Sequence, residues 1–80
     1  MVKFVLDRLK DVSGVSGTGI IADGVEFDDG QCVLSWRGRY HTVEILPNIK
    51  AVRDIHGHDG STIVRWLERA EEPSIQEVKE

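Results

Sequence analysis

Two glycine-centred turn signals divide the middle of the chain into short apolar runs. Asp29 and Gly30 follow the run 19–27, and Gly38 follows the run 32–36. An Asp-Gly pair between apolar runs predicts a two-residue type I′ hairpin, and Gly38 in the segment 37–40 predicts a type II′ hairpin. The sequence therefore predicts a meander of three antiparallel strands in the centre of the chain.

Each predicted turn implies a register, and a slip of one residue moves every side chain to the other face of a strand. In the register of two-residue turns, Cys32, Leu34 and Trp36 share one buried face. The apolar pairs predicted across the two hairpins are Phe27–Cys32, Val25–Leu34, Leu34–Val43 and Cys32–Ile45. Asp23 would also lie on the buried face, where an unpaired carboxylate is costly, so we expect a β-bulge at Asp23 and Gly24.

The flanking segments complete the predicted order of elements. Alternating apolar residues predict a first strand over 2–9 and a last strand over 62–67. Asn48 is a candidate N-cap for a short helix with Gly57 as its stop; the apolar residues of this helix are Ile49, Val52 and Ile55. Segment 11–18 is predicted to be a Ser- and Gly-rich loop. We predict one β domain over 1–68 and a charged, disordered tail over 69–80.

Composition limits the classes of protein to which the chain can belong. A single cysteine, Cys32, excludes an intrachain disulfide and a Cys-rich zinc site. No segment resembles a signal peptide or a membrane span, so we expect a cytoplasmic protein without membrane contacts. The net charge is −4, with acids concentrated in 12–34 and 54–80 and bases in 35–53. This balance does not favour DNA binding, which requires a dense positive face.

Strand, polar loop, three-strand meander, helical turn and final strand is the order of SH3-like proteins. The predicted fold class is therefore all-β: a small five-stranded SH3-like barrel with one short helical turn before the last strand and a flexible C-terminal tail. The chain also resembles a group of short uncharacterised proteins of actinobacteria and their phages. The segments that carry this resemblance are 11–19, Gly24–Phe27, Asp29–Gly30, Leu34–Gly38, Ile55–Gly60 and Trp66. It implies a fold and a phage or prophage origin, and it implies no activity.

Several residues are candidates for chemistry, and each also has a structural interpretation. His56, His58 and Asp59 have the residue types of a metal site, but a polar turn leading into the last strand explains them with fewer assumptions. Cys32 has the chemistry of a nucleophile, yet its mid-strand position indicates a small core side chain. Asp23 and His41 are candidates for a base and its orienting group; the structural interpretations are a hydrogen bond between them, or an Asp23 that is simply solvated at a bulge. We expect no catalytic residue, no metal and no cofactor.

The hairpin tip is the best candidate for a binding surface. Arg37, Arg39 and Tyr40 place an aromatic ring among bases, with Arg53 as a further base. The predicted contacts are Arg37, Arg39, Tyr40, the loop 13–18, and the turn containing His56, His58 and Asp59. We predict a non-catalytic interaction module that binds another protein.

Two alternatives stay open. One is weak nucleic-acid binding through the basic hairpin. The other is an acidic inhibitor that mimics nucleic acid through the tail and four carboxylates: Asp23, Glu26, Asp28 and Asp29. The oligomeric state is also open, because exposed edge strands favour pairing.

Overall fold

The computed structural model describes residues 1–11 and 17–67. Most of the predicted loop contact, residues 13–16, and the predicted tail 69–80 lie outside this part of the chain. The described strands form one five-stranded antiparallel sheet in the order β4-β3-β2-β1-β5. They are β1 (Val2–Arg8), β2 (Gly19–Glu26), β3 (Cys32–Trp36), β4 (Val43–Leu46) and β5 (Thr62–Trp66). This confirms the predicted all-β class.

A short helical segment precedes the last strand, as predicted. Helix α1 (Ile49–His56) begins after Asn48, whose side-chain oxygen accepts a hydrogen bond of 2.8 Å from the amide of Ala51. Gly57 ends the helix, and its amide donates to the carbonyl of Arg53. A 3₁₀ turn (His58–Gly60) then leads into β5. Helix α1 contacts both edge strands, β4 and β5, and so lies across the open side of the sheet.

The core lies between the inner face of the sheet and α1. Its buried side chains include Phe4, Leu6, Ala22, Cys32, Leu34, Leu46 and Val52. Cys32 and Leu34 face inward together, as predicted, and half-buried Trp36 packs against the same cluster. Ile55, which was expected on the apolar face of the helix, is exposed. Three residues of an α-helix turn through about 300°, so Ile55 lies about 60° around the helix from Val52, at the border of the buried face and not at its centre.

The predicted register of the first hairpin is wrong by one residue. Glu26 lies opposite Cys32, whereas Phe27 was expected there. The loop contains three residues, 28–30. The amide of Phe27 donates to the carbonyl of Gln31, which closes the hairpin, and the amide of Gly30 donates to the carbonyl of Phe27. Gly30 has a φ of 95°, the left-handed conformation that ends a common three-residue hairpin loop.

The predicted register of the second hairpin is also wrong by one residue. Val33 lies opposite Ile45, and Leu34 lies opposite Glu44. Leu34 was expected opposite Val43, so the side chains of β4 are turned over relative to the prediction. Glu44 and Leu46 face the inner side, while Val43 and Ile45 face the outer side of the sheet.

The predicted bulge at Asp23 and Gly24 is wrong. Both residues pair regularly with β3, and Asp23 is exposed on the outer face, so it needs no bulge to escape burial. The irregularity lies earlier, where Leu6 pairs with Ala22 and Asp7 pairs with Ile20. At this point β2 contains one residue more than the paired segment of β1, and β2 bends there.

Candidate functional site

The second hairpin exposes apolar side chains on the outer face of the sheet. Val43 and Ile45 are 62% and 66% exposed on the edge strand β4. Ile45 lies opposite Val33, and Val33 lies opposite Val25, so these side chains form a row across β4, β3 and β2. We call Val25, Val33, Val43 and Ile45 the outer patch. A shallow depression of about 290 Å³ adjoins it on β1–β3, lined in part by Lys3, Asp23 and Ser35.

Glu44 explains why β4 takes this orientation. Its Oε1 lies 3.0 Å from Nε2 of His56 at the end of α1, and an ionised carboxylate can only accept, so Nε2 is the donor. His56 also packs edge-on against Trp36, with ring centroids 4.9 Å apart and an interplanar angle of 70°. The half-buried carboxylate is thus paired on the inner side, which allows Val43 and Ile45 to face outward.

Two pairs of oppositely charged residues lie on the outer face. Arg37 donates to both carboxylate oxygens of Asp23, from Nε at 2.9 Å and from Nη2 at 2.8 Å. This hydrogen bonding is the largest cause that holds the pKa of Asp23 below its ordinary value. Arg65 donates twice to the single oxygen Oδ2 of Asp7, from Nε at 3.2 Å and from Nη2 at 2.8 Å. The two arginines therefore compensate the carboxylates next to them.

The loop between β3 and β4 carries the other predicted contacts of the hairpin. The Tyr40 side chain is 78% exposed. The guanidinium of Arg39 lies 5.5 Å from the centroid of the Tyr40 ring, which is within the range of a cation–π contact. Arg37, in contrast, is engaged by Asp23. Of the predicted hairpin contacts, Arg39 and Tyr40 are therefore the two whose side chains lie next to each other and are exposed to solvent.

The predicted histidine cluster separates into two places. His56 lies with Glu44 and Trp36 under β4, whereas His58 and Asp59 line a groove of about 610 Å³ between α1 and β5. Both residues have positive φ, 47° and 55°. Within residues 1–11 and 17–67, no group of three or more His, Cys, Asp or Glu side chains is arranged to hold a metal ion.

Cys32 and Asp23 do not take the catalytic arrangements considered for them. Cys32 is fully buried, and burial is the main cause that raises the pKa of its thiol. Asp23 is paired with Arg37 and not with His41, which lies exposed in the hairpin loop with a φ of 51°. No helix in the described part of the chain is long and apolar enough to cross a membrane.

Comparison with known proteins adds one finding. A protein-family model described as Acb5 phage protein matches residues 1–68, which include all five strands and α1. The chain belongs to the Acb5 phage protein family. No curated protein and no solved structure gives a significant match. The phage relationship expected from the sequence is thereby confirmed for this Acb5 family member, while its likeness to SH3-like proteins and to actinobacterial proteins stays a prediction.

Sequence reasoning missed three residues of this Acb5 family member that matter here: Val43, Glu44 and Ile45. The interpretation of the hairpin placed Val43 and Ile45 in the core and Glu44 outside, because apolar residues are usually buried. One feature of the sequence favoured the other register. Leu46 is the last apolar residue before Pro47, and it is buried only when Glu44, two residues earlier on the strand, also faces inward.

Proposed function

We propose that this phage protein is a non-catalytic module that binds another protein in the bacterial host cell through its outer patch. The orientation of β4 is the observation that carries the proposal. Val43 and Ile45 are left in water, while Glu44 is taken to the inner side and paired with His56.

This orientation is unfavourable for an isolated domain. Exposed β-branched side chains on an edge strand promote association, and natural proteins usually protect such edges with charges. On β4 the one charged side chain, Glu44, faces inward instead. Local conflicts between sequence pattern and structure concentrate at functional positions, and an exposed apolar patch indicates a protein interface.

The candidate chemical groups favour a binding role over a catalytic one. A reactive cysteine needs partial exposure and a lowered pKa, whereas Cys32 is buried with a raised pKa. His56 packs against Trp36 and Glu44, and its side chain is one-fifth exposed. Cys32 and His56 therefore contribute to packing in the fold, which supports a binding role rather than a catalytic one.

The two nucleic-acid alternatives have less support. Phosphate binding through the basic hairpin relies on Arg37, and Asp23 already accepts two hydrogen bonds from its guanidinium. An acidic mimic of nucleic acid relies on the tail and on four carboxylates, Asp23, Glu26, Asp28 and Asp29, and the pair with Arg37 compensates the charge of Asp23. The remaining hairpin base, Arg39, lies over the ring of Tyr40.

The proposal is tested by affinity capture from phage-infected bacterial cells with three tagged proteins. These are the parent, the double variant Val43→Thr/Ile45→Thr, and the control Ile55→Thr. Threonine keeps the β-branched shape that suits a strand. Ile55 is a matched control because it is 55% exposed but lies on α1, away from the outer patch.

We expect the parent and the control to retain a partner that the double variant loses, with all three proteins unfolding at similar temperatures. A partner captured equally by all three proteins would place the interface elsewhere. Capture of nucleic acid alone, removed by raising the salt concentration, would favour the basic hairpin.

A further inference from the structure

We infer that the groove between α1 and β5 binds a small molecule that carries hydroxyl groups and one oxyanion group, a phosphate or a carboxylate. The groove has a volume of about 610 Å³, which is within the range of small-ligand sites. No residue of the outer patch lines it. The groove is therefore a second site, and its ligand is independent of the protein partner proposed above.

A buried hydroxyl without a partner lies in the wall of the groove. Thr62 is 5% exposed, and it is the only buried residue among those that line the groove. It lies two residues before Val64, which packs against the core, so the Thr62 side chain is on the face of β5 that is turned toward α1. Its Oγ1 has no hydrogen-bond partner in the described part of the chain.

Such a hydroxyl is unfavourable unless something binds to it. Burying a polar group without a hydrogen bond costs free energy, and nearly all buried polar groups in folded proteins are paired. The hydroxyl of Thr62 can donate one hydrogen bond, and an oxyanion is the acceptor that gives the stronger bond. A ligand oxyanion in the groove would therefore supply the missing partner.

The guanidinium of the groove also favours an anion. Arg53 lines the groove from α1 and forms no ion pair with any residue in the described ranges. The carboxylate of Asp54 does not compensate it, because Lys50 holds Asp54 with 2.7 Å between Nζ and Oδ2. A guanidinium binds phosphate and carboxylate groups through two parallel N–H donors. Arg53 is thus available to bind the same oxyanion as Thr62.

The turn after α1 holds the remaining groups of the groove in place. The carbonyl of Gly57 accepts hydrogen bonds from the amides of Gly60 and Thr62, each at 3.0 Å. His58 and Asp59 are both held in the left-handed region, which is unfavourable for residues with a Cβ atom. Groups that the fold already fixes lose little freedom when a ligand binds.

Asp59 limits the kind of anion that the groove accepts. Its carboxylate repels a bare oxyanion, but it accepts a hydrogen bond from a hydroxyl group. We therefore expect hydroxyl groups beside the oxyanion of the ligand. Ile55 and Ile63 also line the groove and provide apolar surface for the carbon skeleton.

Titration followed by ¹H–¹⁵N NMR spectroscopy tests the inference. The probes are glycerol 3-phosphate and glycerate, with inorganic phosphate and acetate as the same anions without carbon-bound hydroxyl groups. For the parent, we expect saturable shifts of the amides in 53–64 with at least one of the two hydroxylated probes. The matching simple anion is expected to bind more weakly. Binding of glycerol 3-phosphate alone identifies the anion as a phosphate, and binding of glycerate alone identifies it as a carboxylate.

Two variants of the groove and one control locate the binding. Arg53→Gln and Thr62→Val are each expected to weaken binding about tenfold or more, because each removes a hydrogen bond to a charged group. Thr62→Val is also expected to unfold at a temperature no lower than that of the parent, because it removes an unpaired buried hydroxyl. Arg39→Gln removes the same charge as Arg53→Gln from the hairpin loop and is expected to bind like the parent.

Three results would overturn the inference. The first is the absence of saturable shifts in 53–64 with both hydroxylated probes. The second is binding that Arg53→Gln and Thr62→Val retain, or that Arg39→Gln loses equally. The third is a Thr62→Val protein that unfolds well below the parent, which would show that the hydroxyl already has a partner in the fold. All three leave the outer patch untouched, since its own test changes only Val43 and Ile45.

Discussion

Gly24 on β2 lies directly opposite Phe4 on β1, and the ring of Phe4 occupies the space that a side chain at position 24 would fill. Phe4 is buried and packs edge-on against Trp66, with ring centroids 5.3 Å apart. The missing side chain thus allows the largest residue of the core to lie flat across the sheet.

Gly24→Ala is therefore expected to destabilise the protein by about 1–3 kcal/mol, the usual cost of overpacking a core. Gly38→Ala is the matched control, because a side chain there meets no atom within 4 Å and Gly38 has no positive φ. Chemical denaturation of both variants measures the difference. Equal stability of Gly24→Ala and the parent would mean that Phe4 lies elsewhere.

Gly30 is required for a different reason, its backbone conformation. Its φ is 95°, and a side chain there would have open space around it. Gly30→Val is expected to cost about 1 kcal/mol or more, because a β-branched residue resists positive φ. Gly38→Val, at a position without positive φ, is the control in the same unfolding experiment, and a neutral Gly30→Val would show that the loop 28–30 is formed differently.

These positions show what the sequence could predict and what it could not. The number of strands, the helix cap at Asn48 and the place of both hairpins follow from local turn and capping signals. The registers do not follow from these signals, because both possible registers of each hairpin bury apolar side chains. The predicted register of the first hairpin turns Phe27 toward the core, and the observed register of the second hairpin turns Leu46 toward it. The contacts that choose between them, Gly24 with Phe4 and Glu44 with His56, join residues far apart in sequence.

The candidate site is likewise only partly predictable from the sequence. Tyr40 and Arg39 are predictable from composition, because an aromatic among bases beside a turn is expected to be exposed. The outer patch is not, because a pattern of apolar residues on a strand is normally assigned to the core. Val43 and Ile45 became candidates only when the inward position of Glu44 was known.

The Glu44–His56 pair is expected to stabilise the orientation of β4. His56→Ala leaves a half-buried carboxylate without its partner and removes a contact of Trp36, so we expect a loss of about 1–2 kcal/mol. Replacing both partners, as Glu44→Val with His56→Leu, is expected to recover part of this loss, because no polar group is then left unpaired. A double-mutant cycle by denaturation measures the coupling, and strictly additive losses would contradict the pairing.

The Asp23–Arg37 pair predicts a small, pH-dependent effect. Both side chains are about half exposed, so Asp23→Asn is expected to cost no more than about 1 kcal/mol at pH 7. The pKa of Asp23 is lowered in the folded protein, so the pair contributes above the ordinary pKa of 3.8 and loses its contribution as the pH falls through the folded value. Parent and variant should therefore converge in stability in acid; a difference that persists below this range would assign it to another cause.

Trp36 and Tyr40 provide the comparison that links the fold to its function. Trp36 is half-buried, packs against the core and contacts His56, whereas Tyr40 is largely exposed beside β4. Trp36→Ala is expected to cost about 3 kcal/mol, at the lower end for a large aromatic side chain. Tyr40→Ala is expected to change stability by less than about 0.5 kcal/mol, as exposed substitutions usually do. Because Tyr40 lies in the loop that leads into β4, we also expect Tyr40→Ala to weaken binding.

Thermal unfolding of Trp36→Ala and Tyr40→Ala, with capture of the partner by each variant that folds, separates the two roles. A destabilised Trp36→Ala and a stable Tyr40→Ala with reduced capture agree with an inner face built for packing and an outer face built for contact. A stable Trp36→Ala together with an unfolded Tyr40→Ala would mean that the faces of the sheet are reversed. Val43 and Ile45 would then lie in the core, and the proposed function would fail.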